Sequence, residues 1–197
     1  MNNRMTWIDI TKGIGIILVI IGHTSIPNFL TILIFSFHMP LFFVISGFLF
    51  NEKKYLDNFS NFIYKKSSTL LWPFYTFSLL TILINYMNSS LIINNENLTN
   101  LILGNDSLNT PLWFLTALFS VELLFFIALK YFKNNKYILV IGLIVIIGFI
   151  NSIIFKLTFF FNLHIAFIAL LFFTFGWLLK KYDYVREEVK NSFKEIL

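Results

Sequence analysis

Residues 137–155, YILVIGLIVIIGFINSIIF, contain no charged side chain. About 20 apolar residues let a helix cross a bilayer, so a run like this fits a hydrocarbon solvent. Five other segments come close to it, at about 7–26, 30–50, 68–87, 111–132 and 158–179. Hydrophobic residues make up 57% of the 197 and charged ones 13%, against a usual charged share of about 25%. A soluble domain of this size has no interior large enough for so much apolar surface. The expectation is an all-α, polytopic helical membrane protein with about six transmembrane helices.

The placement of charge orients the chain. Polar breaks follow the second span (NEKKYLDNFSNFIYKK) and the third (NSSLIINNENLTNLILGNDSLN), and KNNK separates the fourth from the fifth. With the N-terminus cytoplasmic, every Lys and Arg except Lys156 falls on the inner side. Such a bias sets topology through the positive-inside rule. It also accounts for the net charge of +5 without any nucleic-acid partner. The expected organisation is a transmembrane domain over 1–180 and a charged cytoplasmic tail over 181–197. That tail reads as an amphipathic helix on the inner surface, a solvated helix or a linker. The first apolar run begins with Asp9 and Lys12 and has no small-residue cleavage site after it, so it reads as a retained span and not a signal peptide. The chain has no Cys, which removes disulfides and thiolate metal sites. The N-x-[ST] patterns at Asn88, Asn97 and Asn105 are expected by chance in so Asn-rich a chain.

The first two spans nonetheless carry groups that water would normally hold. Lys12 and His23 are eleven residues apart, ~20° past three full helical turns and about 16 Å along the axis. Both therefore lie on one face. Asp9, three residues before Lys12, joins them, and Gly15 and Gly22 lie nearby as places of close approach. Ionisable groups inside spans usually face a bundle interior or a watery path. The plainer alternatives are a snorkelling lysine paired with Asp9 and a wet interfacial histidine. His38 lies deep in the second span, two residues before Pro40. Proline frees the carbonyl four residues back, that of Ser36. His38 reads either as the wall of a polar pocket or as a structural histidine bonded to a neighbouring helix. Glu122 lies mid-span, and the sequence names no partner for it. Pro111 suits the first turn of a helix capped by Thr110. His164 reads as interfacial. Nothing in the spacing of the three histidines requires a metal.

Taken in order, IDITKGIGIILVIIGHT, FSFHMPLFFVISGFLF, LWPFY, PLWFLTALF and FFTFGWLLKKY resemble the membrane-bound acyltransferase family 3, and in particular its fucose 4-O-acetylase-like branch. The resemblance implies an integral membrane O-acyltransferase. Its donor substrate would be acyl-CoA, acetyl-CoA in the simplest case. Its acceptor would be a hydroxyl of an envelope sugar or glycolipid. The family hallmark is a basic residue, ten intervening residues and a histidine, which here are Lys12 and His23. Arg is usual at the basic position, and Lys keeps the charge but loses the planar fork that clasps phosphate. The resemblance makes His23 and His38 the catalytic candidates and Lys12 and Asp9 the donor-binding ones. Family members usually have about ten spans, so this chain is expected to be incomplete relative to them. The bacterial cytoplasmic membrane is the expected location, with other glycan-biosynthesis proteins as possible partners. A non-enzymatic alternative also stands: a small transporter, a polysaccharide-assembly partner or an inactive fragment.

Overall fold

The structure, a computed structural model, describes residues 5–88, 95–105, 110–132 and 134–196, without the side chains of 96, 97, 110 and 183–196. Arg4, Lys133, the side chain of Asn97, the Thr110 cap and the charges of the tail beyond Tyr182 lie outside what it describes. It is all-α, with no strand among the described residues. The helices are α1 (Thr6–Gly22), α2 (Asn28–Leu49), α3 (Glu52–Tyr55), α4 (Phe59–Lys66), α5 (Trp72–Met87), α6 (Asn95–Ile102), α7 (Trp113–Tyr131), α8 (Lys136–Ile150) and α9 (Leu163–Ile196). Among the described residues, five helical stretches are long and apolar enough to cross a membrane: Asn28–Leu49, Phe59–Met87, Trp113–Tyr131, Lys136–Phe155 and Phe160–Tyr182. Their outward faces carry residues such as Ile32, Leu139 and Ile153, each at least 70% exposed, as lipid-facing positions should be. The expected first span is α1, which has 17 residues. At 1.5 Å per residue it is slightly shorter than the ~30 Å hydrocarbon core. It stops at His23 because the Thr24 hydroxyl donates to the Ile21 carbonyl at 2.7 Å and Pro27 follows.

The chain divides into two compact units, Met1–Phe50 with Phe172–Leu197, and Asn51–Leu171. In the first, Ile8, Gly15 and Gly22 are the buried residues of α1. Their seven-residue spacing draws a narrow seam along one side of the helix, and α2 packs on it. A Cβ on Gly15 would come within 2.8 Å of the Phe42 ring, and one on Gly22 within 3.2 Å of Ile34 and 3.3 Å of Phe35. A second close approach joins α2 to the later part of α9. A Cβ on Gly47 would overlap the Phe173 carbonyl, and one on Gly176 the Val44 carbonyl. The two backbones thus meet through reciprocal glycines, the packing that membrane helices favour. Lys180 Nζ donates to the Phe50 carbonyl at 3.0 Å, closing the end of α2 where no helical N–H remains to bond it.

The second unit departs from the expected third span. Helix starts at Phe59, not near 68, and runs through a π-turn at Ser67–Leu71 into α5. The segment expected to be a polar break is helical because asparagines cap it. Asn51 Oδ1 accepts from the Lys54 N–H at 3.2 Å and Asn58 Oδ1 from the Asn61 N–H at 2.9 Å. The π-turn precedes Pro73, whose ring would crowd the Thr69 carbonyl in a regular helix. Phe62 and Phe126 are fully buried and stack at 4.5 Å. Beside them Lys66 Nζ bonds Glu122 Oε1 at 2.8 Å, the ammonium also lying 5.2 Å from the Tyr55 ring centre. Glu122 therefore has a partner, and it comes from the segment that read as a loop.

At the other end of the unit, Asn162 is buried with positive φ. Its amide donates to Thr116 Oγ1 at 2.9 Å and to the Gly104 carbonyl at 3.2 Å, and its N–H to Asn105 Oδ1 at 3.0 Å. Asn151 closes the end of α8 by bonding both the N–H and the carbonyl of Leu157. His164 accepts from the Phe159 N–H at 3.4 Å. The tail is helical, since α9 continues unbroken to Ile196.

Two outcomes follow for thermal unfolding of the full chain in detergent. Gly47→Val and Gly176→Val each lower stability by about 1–3 kcal/mol or more through overpacking, whereas Gly13→Ala, whose added carbon meets nothing within 4 Å, does not. Lys66→Ala costs about 3–5 kcal/mol by stranding the buried Glu122 carboxylate, Glu122→Ala costs less because Lys66 is part-exposed, and Lys66→Met combined with Glu122→Leu recovers most of the loss. Equal melting of the single and double variants would contradict the pairing.

Candidate active site

The candidate residues all belong to the first unit, on α1 and α2. Taking Ile8 as the origin of the seam, Lys12 and His23 stand ~40–60° round the helix and Asp9 ~100°. Exposure follows this order, with Lys12 half-buried at the edge of the seam and Asp9 exposed. His23 caps the C-terminus of α1, its N–H shared between the Val19 and Ile20 carbonyls at 3.2 Å each. Its ring is exposed.

His38 is fully buried. Its Nδ1 lies 2.6 Å from the Ile34 carbonyl of its own helix, not against a neighbouring one. Its Nε2 is buried with no hydrogen-bond partner. Pro40 sits inside α2 without ending it.

Phe35 brings the two histidines together. Its ring lies 5.3 Å from the His23 ring at 90°, and 5.1 Å from the His38 ring at 69°. Both are edge contacts of the kind aromatic rings prefer. Phe35 fits there because Gly22 has no side chain in its way. Both imidazoles thus rest against one phenyl ring. Phe35 gave no sequence signal beyond being one Phe among 26. Its place one turn before His38 was the available clue.

Lys12 and His23 do not share a wall of the cavity described in this unit. That cavity, of about 230 Å³, is lined by Trp7, Ile8, Thr11, Leu41, Val44 and Ile45, with Phe48 and Leu179. It is apolar and lies alongside the first turns of α1, beside Lys12 in sequence. No group of three His, Asp or Glu suited to a metal occurs among the described residues.

An imidazole at a helix end, a second one held rigid and buried beside it, and an ammonium three turns along the same helix can together serve proton transfer near an anionic ligand. No curated protein and no solved structure matches the chain. The family model described as "Acyltransferase domain" matches residues 5–195. That match takes in both histidines, Lys12 and nearly all of both units, and on it the chain belongs to the acyltransferase 3 family of membrane acyltransferases.

Proposed function

We propose that this protein is an O-acyltransferase of the bacterial cytoplasmic membrane, similar to the fucose 4-O-acetylase-like branch. It would move an acyl group, acetyl in the simplest case, from acyl-CoA to a hydroxyl of an envelope sugar or glycolipid. The observation that carries this reading is the exposed imidazole of His23 at the end of α1, three turns from half-buried Lys12 on the same side of the helix.

In this mechanism His23 takes the proton of the acceptor hydroxyl as that oxygen attacks the thioester carbonyl. The new C–O bond forms, the C–S bond breaks, and the thiolate leaves with the proton returned by the imidazolium. Lys12 draws in the donor's phosphates as a point charge, with Asp9 a carboxylate one turn away that shapes the charge around it. The positive-inside pattern puts Lys12 at the cytoplasmic end, where acyl-CoA is available. Other glycan-biosynthesis proteins would supply and consume the acceptor.

The test is transfer of labelled acetyl from acetyl-CoA to envelope glycan in membranes carrying the full chain. His23→Ala is expected to lower transfer by about 10²–10⁴-fold; transfer at the wild-type rate would remove His23 from the mechanism. Lys12→Arg should keep most activity, whereas Lys12→Ala should raise the KM for the donor. If the two Lys12 variants behave alike, the positive charge has no such part.

A further inference from the structure

His38 holds a hydrogen-bonding capacity that the fold itself does not use. A backbone carbonyl can only accept, so the 2.6 Å contact between Nδ1 and the Ile34 carbonyl requires a proton on Nδ1. A neutral imidazole protonated there has a lone pair on Nε2. That atom is buried and unpartnered, on a side chain with no exposure at all. Buried polar atoms in folded proteins nearly always have partners, so an orphan of this kind is costly unless something outside the chain supplies a donor.

The neighbouring groups narrow what that donor can be. No hydrogen bond joins His38 to His23, and both rings instead pack edge-on against Phe35. No second and third metal-ligating side chain accompanies the ring among the described residues. A lone pair in an apolar surround, bordered by aromatic carbon, suits a neutral donor such as an alcohol hydroxyl.

We infer that His38, fixed in its Nδ1–H form by the Ile34 carbonyl, is the binding contact for a hydroxyl of the acyl acceptor through Nε2. This rests on the acyltransferase reading above and assigns the two histidines different work. His23 moves the proton of the reacting hydroxyl, and His38 holds the acceptor by a hydroxyl without taking a proton itself. Phe35, against which the His38 ring packs, is 37% exposed. Phe35 then separates a proton-transferring imidazole from a binding one.

Two substitutions divide the ring's two nitrogens. In His38→Asn the amide N–H₂ stands near Nδ1 and keeps the bond to Ile34, but nothing replaces Nε2. In His38→Gln the amide reaches the Nε2 position. With labelled acetyl-CoA and full-chain membranes, two rates are measured: release of free acetate without added glycan, and transfer to glycan. His38→Asn is expected to lower transfer to glycan more than donor hydrolysis and to raise the acceptor KM by about tenfold or more, the worth of one lost hydrogen bond. His38→Gln should recover part of that loss, and His23→Ala should lose both rates. Wild-type glycan transfer by His38→Asn, or equal loss of hydrolysis and transfer, would overturn the assignment. ¹⁵N NMR of histidine-labelled full chain tests the tautomer without reference to activity. Nδ1–H at neutral pH is the expected form, and an Nε2–H signal for His38 would overturn the proposal. A chain with the expected tautomer but no acyl transfer from any arm would refute the acyltransferase reading, and with it the acceptor as the ligand.

Discussion

The candidate site depends on the contact between Gly22 and the Phe35 ring. A helix that ends in a histidine positions nothing unless another element fixes the direction of its ring. Here the absent side chain at Gly22 lets Phe35 lie against the end of α1. From there its ring touches His23 on one side and His38 on the other. The seam of Ile8, Gly15 and Gly22 extends the same contact along α1. Lys12 runs along the edge of that seam. Lys12 and His23 are therefore held by one helix packing, and their separation is set by helical rise.

Elsewhere the chain partners many of its polar groups in an apolar solvent, although Ser78 Oγ and Glu122 Oε2 also lack a hydrogen bond. A bilayer offers no water to a buried N–H or carboxylate, so each must find its own bond. Glu122 takes Lys66, Asn162 takes Thr116, Gly104 and Asn105, and Asn151 ties off the end of α8. Ser120 donates to the Phe161 carbonyl at 2.8 Å, which lets the chain turn through two positive-φ residues before α9. The unpartnered Nε2 of His38 is, with Ser78 Oγ and Glu122 Oε2, a buried polar atom that the fold leaves open, and it lies beside the Phe35 ring that touches His23.

Much of this was legible in the residues. The apolar run at 137–155 ends at Phe155, where the structure ends its π-turn, because Lys156 takes up left-handed backbone there. The shared side of Lys12 and His23 follows from the period of the helix alone. So does the closeness of Gly15 and Gly22 to that line, although the pattern could not say that side chains of α2 would fill the space. Helix between 59 and 67 was not legible. Its charges look like those of a loop, and what makes it helical is an asparagine cap and a long-range bond from Lys66 to Glu122. No local pattern announces a partner 56 residues away. Phe35 was equally hidden, because one phenylalanine in so aromatic a chain carries no signal until its neighbours are known.

The most direct measurement is glycan acetylation by membranes bearing Gly22→Leu, compared with Gly13→Leu, each checked for a wild-type melting temperature. At position 22 the new side chain displaces Phe35 and with it the two imidazoles. At position 13 the space around an added Cβ is open. The account predicts that acetyl transfer falls by about tenfold or more with Gly22→Leu and stays near wild type with Gly13→Leu. Wild-type transfer by a well-folded Gly22→Leu protein would contradict it.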